Sequence, residues 1–63
     1  MFVKIEDRYH GVLKAWSTSA TYQLPRMGEH IRCQHRLFKV VRIVHDLDVG
    51  VDDAVVITTE QVH

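Results

Sequence analysis

Apolar and polar residues alternate with a period of two over most of this chain, the spacing of half-buried strands rather than of amphipathic helices. In Phe2–Glu6, Val3 and Ile5 share one face, with Lys4 and Glu6 on the other. Asp7-Arg8-Tyr9-His10-Gly11 reads as a hairpin loop, with Gly11 free to take positive φ. A second strand starts at Val12, where Leu13 and Ala15 alternate with Val12, Lys14 and Trp16. The small polar run Ser17-Thr18-Ser19-Ala20-Thr21 either continues that strand along an edge or forms a solvated connection, the better account. Leu24-Pro25-Arg26-Met27-Gly28-Glu29 predicts a turn in which Pro25 presets φ and Gly28 sits at the exit. Glu29–Gln34 alternates again, Ile31 and Cys33 inward against His30, Arg32 and Gln34 outward, before a short turn at His35-Arg36.

Leu37–His45 is the longest predicted strand and is apolar on both faces. Phe38, Val40 and Val44 lie opposite Leu37, Val41 and Ile43, so the strand is either central in a closed barrel or bulged near Val40-Val41. Asp46–Asp53 reads as an acidic loop, Ala54–Thr59 as the last strand and Glu60–His63 as a frayed end. Val and Ile supply fourteen residues and Thr four, against three Ala and four Leu, which favours sheet over helix. The expectation is all-β: residues 1–63 as a single domain forming a small five-stranded antiparallel, strongly bent sheet or barrel. One core should join Val40, Ile43, Ile31, Val55 and Ile57.

The order Leu24-Pro25-x-x-Gly28-Glu29-x-Ile31, followed by Phe38-x-Val40-x-x-Ile43-x-His45-Asp46, resembles short uncharacterised bacterial and phage proteins of the SH3-like barrel type. In those, a Leu-Pro-x-x-Gly turn leads into a hairpin and then a Val-rich strand. The resemblance implies the fold and carries no catalytic residue.

At 63 residues the chain is one domain, and such a domain buries only about 60% of the surface its unfolded form exposes. Its single cysteine, Cys33, cannot form an intrachain disulfide, so association with a partner or a second copy is the expected support for a marginal core. The longest uninterrupted apolar run, Ala54–Ile57, is far short of a membrane-spanning helix, and the acids Glu6 and Asp7 follow too closely on Met1 for a signal peptide. A cytoplasmic protein is the expectation.

Charge sharpens the picture. The net charge is zero, but all eight Lys and Arg lie in residues 1–44, and residues 45–63 hold five acids. Arg26, Arg32, Arg36, Lys39 and Arg42 form a basic hairpin that could contact phosphates, with Tyr22 or Trp16 for base stacking, so a small RNA- or single-stranded-DNA-binding barrel is one reading. A balanced net charge speaks against it. Asp46-x-Asp48-x-Gly50-x-Asp52-Asp53 offers alternate oxygen ligands, yet the fifth, sixth and twelfth EF-hand positions fall on Gly50, Val51 and Ile57, so a plain acidic turn is the better account. Cys33 with His30 and His35 lacks a fourth zinc ligand and alternates away from His30. Cys33 with His45 and Asp46 is a nucleophile set on paper only, because a chain this short can hardly enclose a sequestered site. No metal, cofactor or catalytic residue is expected. Trp16, Tyr9 and Tyr22, aromatic side chains beside arginines, fit a protein-binding hot spot. The leading expectation is therefore a non-enzymatic interaction module docking on a partner protein or on itself as a homodimer, a small regulator or inhibitor.

Overall fold

β-Branched residues at alternate positions build five strands in the computed structural model, which describes residues 1–19, 24–48 and 54–62. They are β1 (Phe2–Asp7), β2 (Gly11–Ser17), β3 (His30–Cys33), β4 (Arg36–Asp46) and β5 (Ala54–Gln61). The strands form one strongly curled sheet, half of a barrel, in the order β2-β1-β5-β4-β3. The described residues contain no helix. The all-β expectation holds, with one change of pairing. β1–β2, β3–β4 and β4–β5 are antiparallel, but β1 and β5 pair in parallel, Val3 beside Val55 and Ile5 beside Ile57. Turns dictate antiparallel neighbours along the chain. No turn encodes the meeting of the first and last strands, which their apolar inner faces drive instead.

The inner face is read directly from the register. Val3, Val55 and His45 form one cross-strand row, and Ile5, Ile57 and Ile43 the next. Val3, Ile5, Val40, Val55 and Ile57 are the buried cluster, with Ile43, Ile31, Leu13 and Trp16 packed against it. Phe38 is also fully buried. The expected core is thus present, two of its three isoleucines, Ile31 and Ile43, at the half-buried margin and the third, Ile57, fully buried.

Two irregularities bend the sheet. Val40 pairs with Thr59 while Arg42 pairs with Thr58, leaving Val41 as an extra residue in the middle of β4. This bulge explains why the strand is apolar on both faces: even-numbered residues face the core before it and odd-numbered residues after it. A second bulge, at Leu13 in β2, lets Leu13 join the core although Lys14 and Trp16 share the inward parity.

Turns differ from their expected positions by one residue or two. The β3–β4 hairpin closes through Gln34 and His35, at φ 53° and 62°, a type I′ geometry, and Arg36 already belongs to β4. The Leu-Pro-x-x-Gly segment turns at Arg26–Glu29, where Glu29 N–H donates to Arg26 O (3.0 Å). Gly28 is the third residue of that turn, at φ 83°, and Pro25 precedes it. The C-terminal end is not frayed through Val62: β5 reaches Gln61, and Val62 N–H donates to Leu37 O (2.8 Å). The polar run after Trp16 stays strand-like to Ser17, and Thr18 N–H donates to Met1 O (2.9 Å). Its last residues, 20 and 21, lie outside the described residues.

Two non-glycine residues held at positive φ cost roughly 1 kcal/mol each. Replacing Gln34→Asn together with His35→Gly, the pair preferred in this turn, should raise stability by about 1 kcal/mol after the extra chain entropy of glycine is charged. A urea midpoint unchanged or lowered would show that the Gln34 and His35 side chains stabilise the turn in another way.

Candidate functional site

The curl leaves β2 and β3 as unpaired edges, each bonded to one neighbour among the described residues. An apolar cleft of about 290 Å³ lies between them, lined by Ile5, Leu13 and Trp16 on one side and Pro25, Ile31 and Cys33 on the other. Lys14 and Arg32 stand at its two walls. Lys14 and Trp16 are two residues apart on one face, and Lys14 Nζ lies 4.9 Å from the Trp16 ring centroid, a cation–π contact. An adjoining open groove of about 560 Å³ shares Pro25, Ile31 and Arg32 with the cleft and adds Arg26, Glu29 and His30. Glu29 Oε1 accepts the Arg26 N–H at 2.6 Å, fixing that turn.

Trp16 therefore stands where a partner could reach it, half-buried and anchored from below by the core. Tyr9 does not join it. It sits in the β1–β2 turn, 82% exposed, at the opposite end of a hairpin whose strands rise about 3.3 Å per residue. Tyr22 lies outside the described residues.

The five basic residues do not share one surface. Arg26 lies in the turn and Arg32 on the edge strand. Lys39 and Arg42 face outward, their cross-strand neighbours on β5 being Glu60 and Thr58. Arg36 shares the inward parity of Phe38, and its guanidinium donates to His10 Nδ1 (3.3 Å).

That last contact belongs to a polar cluster that sequence reasoning missed. Asp7 continues the inward alternation of Val3 and Ile5 and is 3% exposed. Its Oδ2 accepts the N–H groups of Tyr9 (3.0 Å) and His10 (3.1 Å), closing the hairpin turn, while Oδ1 is buried without a hydrogen-bond partner among the described residues. A guanidinium only donates, so His10 Nδ1 is the acceptor and Nε2 carries the proton, donated to Gln61 Oε1 at 2.9 Å. The His10 ring meets Phe38 edge-on, at 5.9 Å between centroids. Beneath it, the buried Thr59 hydroxyl donates to Glu6 O (3.1 Å). The cluster plugs one end of the half-barrel: it closes the turn, ties β1 to β4 and β5, and covers Phe38.

Among the described residues no three His, Cys, Asp or Glu side chains converge on a point that could hold a metal ion. Cys33 is a free, half-buried thiol at the cleft, and Asp46 Oδ1 accepts the Asp48 N–H (3.0 Å), the local bond of an acidic turn. Gly50, Asp52 and Asp53 lie outside the described residues. No helix among the described residues is long and apolar enough to cross a membrane. Neither a protein-family model, nor a curated protein, nor a solved structure matches the chain.

Proposed function

We propose that the protein is a non-enzymatic interaction module that docks on a partner protein through the Trp16 cleft. One observation carries the reading: two sheet edges, each bonded to a single neighbouring strand among the described residues, flank an apolar cleft in which a large aromatic side chain is held in place by the core. Edge backbone supplies hydrogen bonds to an incoming strand, and a preorganised aromatic anchor supplies desolvation energy at small entropic cost. The sequence resemblance to bacterial and phage SH3-like proteins fits a small regulator or inhibitor acting in this way. Nucleic-acid binding is less well supported, because the five basic residues point in several directions and Lys14 lies against the Trp16 ring.

The test begins with a photo-crosslinking residue at position 13, introduced in cells of the natural host, to capture the partner. Titration calorimetry on the purified pair then compares variants. Trp16→Ala should weaken binding at least about tenfold, and Lys39→Ala and Arg42→Ala less than about twofold. Trp16→Leu, which keeps apolar bulk against Val3, separates loss of docking from loss of folding. Unchanged affinity in a folded Trp16→Ala protein rejects the reading. Tight binding of a short RNA at physiological salt, lost in Arg32→Ala with Arg36→Ala, replaces it with the nucleic-acid one.

A further inference from the structure

The cleft and the adjoining groove border one another along β3, with Pro25, Ile31 and Arg32 lining both, and are taken together as a channel. The floor of the cleft is apolar, formed chiefly by Leu13, Trp16 and Ile31. The rim of the channel is cationic: Lys14 stands on the β2 wall, Arg32 on the β3 wall and Arg26 at the far end. The single carboxylate in the channel, Glu29, already accepts a backbone N–H through Oε1. Lys14, Arg26 and Arg32 have no ion-pair partner among the described residues, where Lys4 pairs with Glu6.

We infer that the channel takes an extended segment of a partner protein that carries an apolar anchor with carboxylates two residues away. The segment adds as a strand along the β2 edge. This rests on the docking reading above and names the chemistry of its partner. Residues two apart on an added strand project to the same face. An apolar side chain seated between Leu13 and Trp16 therefore has its i±2 neighbours at the rim, where Lys14 and Arg32 stand with unneutralised charge. Carboxylates are the side chains that lower the energy there.

The same charges disfavour the other occupants. A second copy pairing edge to edge brings β2 or β3 against a strand of the same kind, and these contain Lys14, Arg32 and His30 but no acid. A nucleic acid satisfies the cations but stacks on the flat face of a ring, whereas Trp16 is half-buried against the core with Lys14 Nζ 4.9 Å from its ring centroid.

The experiment is selection of displayed random peptides of about 10 residues, the upper length of an ordinary strand, on the whole protein. Enriched sequences should place Asp or Glu two residues from an aliphatic or aromatic residue. A synthetic peptide of the enriched sequence should bind at least about tenfold more weakly to Trp16→Ala. Lys14→Glu combined with Arg32→Glu, both at exposed positions, should turn the selected preference from acidic to basic peptides. An oligo-thymidine of the same length should bind more weakly than the peptide at physiological salt, and sedimentation of the protein alone should show no dimer broken by the charge reversal.

Enrichment of neutral or basic peptides, no enrichment, or an unaltered preference after charge reversal overturns the inference. So does tighter binding of oligo-thymidine, or a wild-type dimer that the reversal dissociates. If the captured partner depends on Trp16 while acidic peptides fail, docking stands and its assigned chemistry falls. If partner binding is indifferent to Trp16, the docking reading itself falls.

Discussion

Replacing Ile57 by alanine is expected to leave the protein largely unfolded at physiological temperature. Ile57 is fully buried at the middle of β5, the central strand, with Ile5 beside it on β1 and Ile43 opposite it on β4. Both neighbouring strands are held by backbone ladders, so the surroundings can collapse only partly into the space left behind. Removing an isoleucine from such a site costs about 2–5 kcal/mol. A single small core without disulfide or metal supplies roughly 3–5 kcal/mol in total. The loss is comparable to the whole. Far-ultraviolet circular dichroism of the Ile57→Ala protein should lose its strand signal at 37 °C and show a urea midpoint near zero. Val62→Ala, at a position 38% exposed, should stay within about 0.5 kcal/mol of the parent. A well-defined midpoint retained by Ile57→Ala at more than half the parent value would contradict this account of the core.

The reach of sequence reasoning follows from what is local. Strand positions and the β1–β2 and β3–β4 hairpins were legible, and the bulge near Val40-Val41 was one of two alternatives for a strand apolar on both faces, because alternation and its interruption are properties of neighbouring residues. The parallel pairing of β1 and β5 was not, since it joins residues more than fifty positions apart with no turn between them. Gln34-His35 hid its turn because it lacks the Asn-Gly or Asp-Gly pair that marks a two-residue type I′ hairpin, and the apparent turn fell one residue late. The cleft illustrates both halves. Trp16, Ile31 and Cys33 could each be assigned to an inward or outward face from spacing alone, but their meeting across the open side depends on how far two bulges curl the sheet. Arg36 shows the converse: a turn residue by pattern, it is a strand residue directed at His10 because the hairpin closes earlier.

Asp7 was the clearest missed signal, and it yields the second large effect. The alternation that turns Val3 and Ile5 inward turns Asp7 inward too, yet a carboxylate next to Arg8 and Gly11 reads naturally as part of a solvated loop. In place, it accepts two backbone N–H bonds through one oxygen and shields them from water at 3% exposure. Hydrogen bonds to a charged acceptor contribute about 1.5–3 kcal/mol each, and donors left buried without a partner are costly in their own right. Asp7→Ala removes both bonds, frees the Tyr9–His10 turn and loosens the His10 plug over Phe38, for an expected loss of about 3 kcal/mol. Asp7→Asn is the discriminating variant. Its side-chain oxygen can accept the same two N–H groups, while the amide removes the charge that burial makes expensive at the partnerless Oδ1. The weaker bonds and the relieved burial oppose each other, so Asp7→Asn should fall within about 1 kcal/mol of the parent. Chemical denaturation of the two variants checks the pair of values. Equal, large losses in Asp7→Ala and Asp7→Asn would mean that the negative charge itself, facing His10 across 4.0 Å, holds the end of the barrel, rather than the acceptor geometry of the turn.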